Sequence, residues 1–175
     1  SDFNRRRYDL AVGLSETQPI ETIEGVLAAV PGIERTEFWP GASPYLIGPS
    51  GAATTTVNLL GLEPGSTLLD LALVEGRWLR QGDQHAAVIN RAVLTRNSTL
   101  AVGDSVRVRL SGRTVAFQIV GVAKELTPMA VVYATRQDVL AATGQSGSMA
   151  RSMRIVTRGH DEAAQKAVAR ALESE

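Results

Sequence analysis

The chain of 175 residues contains no cysteine, only two histidines and few aromatic residues, and its basic and acidic residues balance at 18 each. The lack of cysteine excludes disulfide bonds, thiolate catalysis and cysteine-ligated zinc. The balanced charge gives no reason to expect nucleic acid or an anionic membrane surface as a partner. A hydrophobic content of 44% is sufficient for a buried core, in one domain or in two small lobes.

The sequence also lacks any apolar run that approaches the roughly 20 residues of a membrane-spanning helix. Met129–Ala134 is typical of its longest apolar segments. No signal peptide is visible at its start. We therefore expect this piece to be soluble, with any membrane attachment outside it.

Motifs for catalysis and for metal binding are absent from the sequence as well. His85 and His160 have acidic neighbours but lack the HExxH spacing, and we interpret them as a loop histidine and a helix-start histidine. No Ser-x-x-Lys or Gly-x-Ser-x-Gly motif indicates an activated serine. The glycine-rich Gly48–Gly51 is not followed by the Gly-Lys-Ser/Thr of a phosphate loop. We predict no catalytic, cofactor-binding or metal-binding residues.

The first forty residues have the pattern of a strand, a helix and a second strand. Tyr8–Leu14 alternates apolar with small or polar residues, as a strand does. Pro19 suits the first position of a helix, where its missing N–H costs nothing. The apolar residues of that helix recur on one face: Ile20, Ile23, Leu27 and Val30. Ile33–Trp39 reads as the returning strand.

Prolines and glycines punctuate the next segment, Pro40–Ala52, and predict an irregular loop. This loop carries Tyr45, Leu46 and Ile47, which form an apolar set together with Trp39. Exposed apolar residues in loops often contact a partner. We therefore treat these four side chains as candidate partner-contact residues, with packing on their own lobe as an equal alternative.

The middle of the chain has the period of strands. Thr54–Leu60 is rich in β-branched residues, and Ala86–Val122 alternates strands and turns. Within it, Val106–Leu110 places valines and leucine on one face and arginines on the other. Ser111-Gly112 supplies a tight turn, since glycine tolerates a positive φ. We interpret Trp78 as a core anchor rather than a binding residue.

The last fifty residues return to strands and helices. Ala130–Ala134 predicts a buried strand, and Arg154–Thr157 predicts another. Between them, Thr135 and Asp138 have the spacing of a capping box, and Gly144 suits the end of that short helix. A final helix is expected to begin near Asp161-Glu162, whose charges suit the positive end of the helix dipole. It carries Ala164, Val168 and Leu172 at fourfold spacing.

Four short motifs follow one another in a distinctive order. They are the helix exit Ala28–Ile33, the turn Gly76–Leu79 before an apolar strand, the turn Gly103-Asp104, and a hairpin that closes on Val120–Val122. Each motif alone is common, but their order and spacing resemble the extracytoplasmic domain of MacB-type, FtsX-like ABC transporter permeases. The resemblance covers nearly the whole chain.

The resemblance implies an α+β fold with two lobes. Residues 1–60 and 128–175 would form a discontinuous porter-like lobe of ferredoxin-like βαβ units, and residues 61–127 an inserted, β-rich, Sabre-like lobe. A ferredoxin-like lobe usually ends in a strand after its last helix, and the sequence up to Glu175 does not contain one. That strand is either absent or follows Glu175.

The resemblance also implies a mechanical function. The chain would be the non-catalytic ectodomain of a permease, on the extracytoplasmic face of the bacterial cytoplasmic membrane. It would transmit ATP-driven motion to a substrate or partner, in efflux, lipoprotein release or activation of a cell-wall hydrolase. Its partners would be the flanking transmembrane helices, a nucleotide-binding ATPase subunit, a second permease protomer, and an extracytoplasmic adaptor, lipoprotein or hydrolase. The alternative is a free-standing extracytoplasmic binding or sensor module.

Overall fold

A computed structural model describes residues 4–159 and 162–173 of the chain, which contain fourteen strands and four helices. The strands are β1 (Asn4–Arg6), β2 (Leu10–Pro19), β3 (Ile33–Phe38), β4 (Gly41–Ala42), β5 (Tyr45–Ile47), β6 (Ala53–Thr56), β7 (Asn58–Leu62), β8 (Leu69–Leu71), β9 (Leu73–Gly76), β10 (Ala86–Asn90), β11 (Ser105–Leu110), β12 (Arg113–Ala123), β13 (Val131–Thr135) and β14 (Met149–Thr157). The helices are α1 (Ile20–Ala28), α2 (Arg91–Arg96), α3 (Arg136–Thr143) and α4 (Glu162–Glu173).

The two ends of the described chain meet in a small lobe, which we call the terminal lobe: β2, β3, β14, α1 and α4. Its antiparallel sheet has the order β2-β14-β3, so the last strand lies between the first two. Ile23 and Leu27 of α1 pack with Met153, Ile155 and Val168 in a buried cluster. The helical face predicted from the apolar spacing is therefore the face that α1 buries.

The remaining strands, except β1 and β8, form one sheet of nine strands with the order β4-β7-β13-β10-β12-β11-β5-β6 and with β9 also paired to β12. Only two residues join β4 to β5 and one joins β6 to β7, although these strands lie at opposite ends of that order. Two residues span at most about 11 Å between flanking Cα atoms. The sheet must therefore curl until its ends meet, and the amide of Val57 donates to the carbonyl of Pro44 at 2.9 Å.

The inside of this closed sheet is the larger hydrophobic core. Leu46, Leu59, Val106, Phe117 and Val132 come from five different strands and share one buried cluster. Such a cluster can form only if the strands face a common interior. Helices α2 and α3 contribute to the same cluster. We call this sheet, with α2 and α3, the inserted lobe.

The lobe boundaries expected at 60/61 and 127/128 do not follow the sheets. Strand β7 pairs in parallel with β13, from Asn58↔Val131 to Leu62↔Thr135, inside the nine-stranded sheet. Both strands are short apolar runs that can be buried on both faces, a composition which favours central positions in a sheet. The pairing therefore places residues 41–62 and 131–143 in the inserted lobe.

The segment Pro40–Ala52 is not the irregular loop that its prolines and glycines predict. It contains β4, which pairs with β7, and β5, which pairs with β11 and β6. Its prolines lie before, between and after these strands, where no ladder hydrogen bond is lost. Strand pairing with distant residues decides the structure here, and local composition does not reveal it.

Other local predictions are confirmed, with small corrections. The side chain of Thr135 accepts a hydrogen bond from the amide of Asp138 at 3.2 Å, and Gly144 ends α3 in the left-handed region with φ 71°. The Asp138 carboxylate does not complete the capping box; it accepts from the amide of His85 instead, at 2.7 Å. Pro19 precedes the first turn of α1 rather than lying in it. Helix α2 was not predicted, and Asp161 lies outside the described residues.

Candidate functional site

The four residues predicted to contact a partner do not form an exposed set. Trp39, Leu46 and Ile47 are 1%, 0% and 4% exposed, so the expectation of exposed apolar side chains is wrong for them. Tyr45 is 51% exposed at the outer face of β5. A partner contact by Tyr45 stays a prediction.

The structure contains a candidate binding site that no motif indicates, a cleft of about 1050 Å³ between the two lobes. The terminal lobe contributes β2 and β14 to its wall. Tyr8 and Trp39, which lie next to β2 and β3, are on the same side as Arg154 of β14. Strand β7 and the loop between β12 and β13 contribute the other side. We call this space the interlobe cleft.

The wall of the interlobe cleft includes a stack of two aromatic rings and a guanidinium group. The rings of Tyr8 and Trp39 meet edge to face with 5.5 Å between centroids. The guanidinium of Arg154 lies 4.8 Å from the centroid of Trp39 and 5.4 Å from that of Tyr8. Cation–π contacts of this kind fix a positive charge against an apolar surface.

Hydrogen bonds from the terminal lobe and from the chain between β7 and β8 hold Trp39 in place. Its Nε1 donates to the carboxylate of Glu37 at 3.0 Å, and the hydroxyl of Ser66 donates to the same carboxylate oxygen at 2.7 Å. Ser152 donates to the backbone carbonyl of Trp39. Arg35 donates to the second Glu37 oxygen at 2.8 Å. The tryptophan is therefore a fixed part of the wall.

A buried carboxylate lies in the opposite wall. Glu125 is 6% exposed. Its Oε1 accepts from the hydroxyl of Tyr133 at 2.8 Å and from the side-chain amide (Nδ2) of Asn90 at 3.0 Å. Its Oε2 lies 4.0 Å from a guanidinium nitrogen of Arg6. The pKa of the Tyr133 hydroxyl is raised far above its usual value, mainly by burial and to a lesser degree by the charge and the hydrogen bond of Glu125. This hydroxyl therefore stays protonated and acts as a donor.

The motif Gly76–Leu79 has a structural explanation. Arg77 and Asp83 form a two-pronged ion pair with distances of 3.0 and 3.1 Å, and the Asp83 carboxylate also accepts from the amide of Arg80 at 2.8 Å. Gly76 has φ 77° and lies opposite Gly121 in the β9–β12 pair. A Cβ at Gly76 would collide with backbone atoms of β12, and a Cβ at Gly121 would collide with the backbone of Arg77, just after β9. The motif closes a turn, and its residues are not arranged for chemistry.

Within the described residues, no group of three or more metal-ligating side chains converges. His85 lies in a turn with φ 53°, and its ring packs 6.4 Å from Phe117. His160 lies outside the part of the chain that the structure describes.

The interlobe cleft was missed because its residues are scattered through the sequence. Tyr8, Trp39, Glu125 and Arg154 come from four separate segments, and each is an ordinary member of a strand or loop in sequence. Only Trp39 was singled out, for its aromatic ring beside a loop.

Among the residues described, no helix combines the length and the apolar character needed to cross a bilayer.

Comparisons with known proteins identify similar domains. The family model described as MacB-like periplasmic core domain matches residues 6–175. No curated protein matches the chain. The periplasmic region of MacB from Actinobacillus actinomycetemcomitans has 19% identity and a TM-score of 0.57, and the match covers 89% of this chain and 73% of that one.

The extracellular domain of the noncanonic ABC-type transporter YknZ from Gram-positive bacteria has 16% identity and a TM-score of 0.59, with 94% of this chain and 91% of that one covered. At these identities the structural likeness supports the fold. The expectation of an α+β fold of the porter and Sabre type is confirmed.

Proposed function

Because the chain belongs to the family of MacB-like periplasmic core domains, we propose that it transmits ATP-driven movement of membrane helices to a substrate or partner outside the cytoplasm. The chain is the extracytoplasmic, non-catalytic domain of an ABC transporter permease. In the proposal, ATP is hydrolysed on a separate domain or subunit. The movement serves efflux, lipoprotein release or activation of a cell-wall hydrolase.

The observation that best supports transmission is a core shared by both lobes. Val156 of the terminal lobe and Trp39, directly after its strand β3, pack in one buried cluster with Leu62, Val88 and Tyr133 of the inserted lobe. Packed interiors shift as units and do not deform continuously. A displacement of the terminal lobe therefore carries the inserted lobe with it.

The first described strand strengthens this coupling. Strand β1 pairs antiparallel with β8, which lies between two strands of the inserted lobe along the chain. Just after β1, Arg7 forms an ion pair with Asp70 at 3.2 Å, and its amide donates to the carbonyl of Leu68 at 2.8 Å. The segment that enters the terminal lobe at β2 is thus already attached to the chain of the inserted lobe.

The partners in this proposal are the flanking membrane helices, a nucleotide-binding ATPase subunit and a second permease protomer. On the extracytoplasmic face of the bacterial cytoplasmic membrane, an adaptor, a lipoprotein or a hydrolase receives the movement. A free-standing binding or sensor module is the second candidate, and the interlobe cleft is the observation that favours it.

The test follows the position of the domain through the ATP cycle. Since this chain has no cysteine, Glu24→Cys on α1 and Arg107→Cys on β11 give one label site on each lobe, and both residues are exposed. In the full permease with its ATPase, with any cysteine outside this domain replaced, we expect the distance between the two labels to stay constant. The distance of each label from a lipid-bound probe should change when ATP is trapped.

The control is the same labelled permease with a catalytically inactive ATPase subunit. If the labels hold the same position relative to the membrane in every nucleotide state, the transmission proposal is wrong and the binding module is favoured. If the two labels move relative to each other, the lobes do not act as one body.

A further inference from the structure

The charge of the interlobe cleft differs from that of the whole chain. Basic and acidic residues balance in the sequence, but the cleft is lined by four arginines and a single glutamate. The arginines are Arg6, Arg136, Arg151 and Arg154. A concave surface with an excess of one charge concentrates ligands of the opposite charge.

Three of these guanidinium groups have donors left for a ligand. Among the described residues, Arg136, Arg151 and Arg154 hydrogen-bond only to backbone carbonyl oxygens, at 3.0, 3.0 and 3.3 Å. A guanidinium has five N–H donors, in a fork that matches a carboxylate or phosphate. The Nε of Arg154 is buried and has no hydrogen-bond partner.

The single carboxylate does not offset this charge. The Oε1 of Glu125 already accepts from Tyr133 and Asn90, and Arg6 lies beside its Oε2. Glu125 and Arg6 neutralise each other, so the remaining charge of the cleft is positive. An organic cation would meet the three other arginines without a free carboxylate to bind it.

The wall also has apolar side chains. Leu14, Leu60, Leu69 and Met129 line the cleft, and Met129 is 58% exposed in the loop beside Glu125. The volume of about 1050 Å³ is at the upper end of small-molecule pockets. A ligand that fills this space must present an apolar body as well as an anionic group.

We propose that the interlobe cleft binds an amphipathic organic anion, a compound with a carboxylate or phosphate head and an apolar body. The head is bound by Arg136, Arg151 and Arg154, and the body lies against Leu14, Leu60 and Met129 of the wall. The proposal adds a chemical class for the substrate of the proposed function. Only the statement that the ligand is a substrate rests on that function; the binding of the anion does not.

The test compares probes that share one apolar chain and differ in the head group. Dodecyl phosphate and dodecyltrimethylammonium are titrated separately into the folded chain, below their micelle concentrations, by isothermal calorimetry. We expect dodecyl phosphate to bind with one-to-one stoichiometry and at least about tenfold more tightly than the cation, because charge-assisted hydrogen bonds form only with the phosphate. Added salt should weaken the binding of the phosphate.

Matched arginine variants locate the site. The double substitution Arg136→Gln and Arg151→Gln should raise the Kd for dodecyl phosphate about tenfold. Arg107→Gln with Arg109→Gln removes the same charge from the exposed face of β11, outside the cleft, and should leave the Kd unchanged. Circular dichroism verifies that each variant is folded. If the first double variant does not fold, Arg151→Gln alone should raise the Kd about threefold.

Equal affinity for the two head groups, equal effects of the two double variants, or no binding of dodecyl phosphate would each overturn the proposal. The outcome is separable from that of the transmission test. Binding without ATP-driven movement leaves the anion site standing and removes the proposed function. ATP-driven movement without binding supports the proposed function and removes the anion site.

Discussion

The ion pair between Arg77 and Asp83 gives a residue-level prediction about pH. The Arg77 guanidinium holds the pKa of the Asp83 carboxyl below its usual value, against the opposing effect of burial. A carboxyl with a lowered folded-state pKa contributes stability above its unfolded pKa, near 3.9, and loses it as the pH falls through the folded pKa. Asp83→Asn should therefore lower the free energy of unfolding by about 1–2 kcal/mol at neutral pH.

The measurement is urea denaturation of both proteins between neutral and acidic pH. The difference between wild type and variant should shrink as the pH falls below the unfolded pKa, and it should disappear once the wild-type carboxyl is protonated in the folded state too. Asp70→Asn is the matched control, because the pair of Asp70 with Arg7 is exposed on both sides. That control should cost well under about 1 kcal/mol. A constant difference down to the lowest pH would contradict the assignment.

At Gly76, both the backbone conformation and the lack of space for a side chain require glycine. Its φ is 77°, and an added Cβ would collide with the carbonyl oxygen of Val120. Gly76→Ala should therefore cost about 3 kcal/mol or more, since strain and collision add. Gly82 has φ 89° with open space around it, so Gly82→Ala should cost only about 1 kcal/mol. Equal losses in the two variants would show that the close approach of β9 and β12 contributes nothing.

At the scale of elements, the three residues of β5 include one fully buried side chain, Leu46, and one exposed side chain, Tyr45. Leu46→Ser removes a fully buried side chain from the inside of the closed sheet and should cost about 2–5 kcal/mol. Tyr45→Ser changes a half-exposed side chain and should shift the free energy of unfolding by less than about 1 kcal/mol. Chemical denaturation tests both. If Tyr45 contacts a partner, Tyr45→Ser lowers transport at unchanged stability.

The elements differ in how far the sequence alone could predict them. Helix α1, the hairpin of β11 and β12 and the cap of α3 depend on neighbouring residues, and periodicity or turn chemistry revealed them. Strands β4 and β5 depend on β7 and β11, far along the chain, and their local composition indicates a loop. The interlobe cleft is one step further removed, because its walls exist only once both lobes have formed and packed.

At the scale of the whole molecule, the shared core predicts cooperative unfolding. Because the terminal and inserted lobes bury one cluster together, far-ultraviolet circular dichroism and tryptophan fluorescence should report the same urea midpoint. Trp39→Ala removes the largest side chain of that cluster and should divide the transition into two, with the smaller terminal lobe unfolding first. Two transitions in the wild type would mean that the lobes are thermodynamically independent.

The position of β14 in the terminal sheet has a consequence for folding kinetics. Strands β2 and β3 do not pair with each other, and they acquire hydrogen bonds only when β14 lies between them. The side chain of Asp9 meets Thr157 across a sequence separation of 148 positions. Contacts so distant along the chain are slow to form, unless the intervening segment folds first and shortens the path.

The inserted lobe supplies that shortcut. The side chain of Gln145 donates to the carbonyl of Gly41 at 3.5 Å, so the closed sheet begins and ends at neighbouring points. Once it has folded, the segments on either side of it emerge close together, and β3 meets β14 across a short gap rather than a hundred residues of free chain. The order of assembly during synthesis then differs from the order in sequence: the middle folds first, and β2 waits for β14.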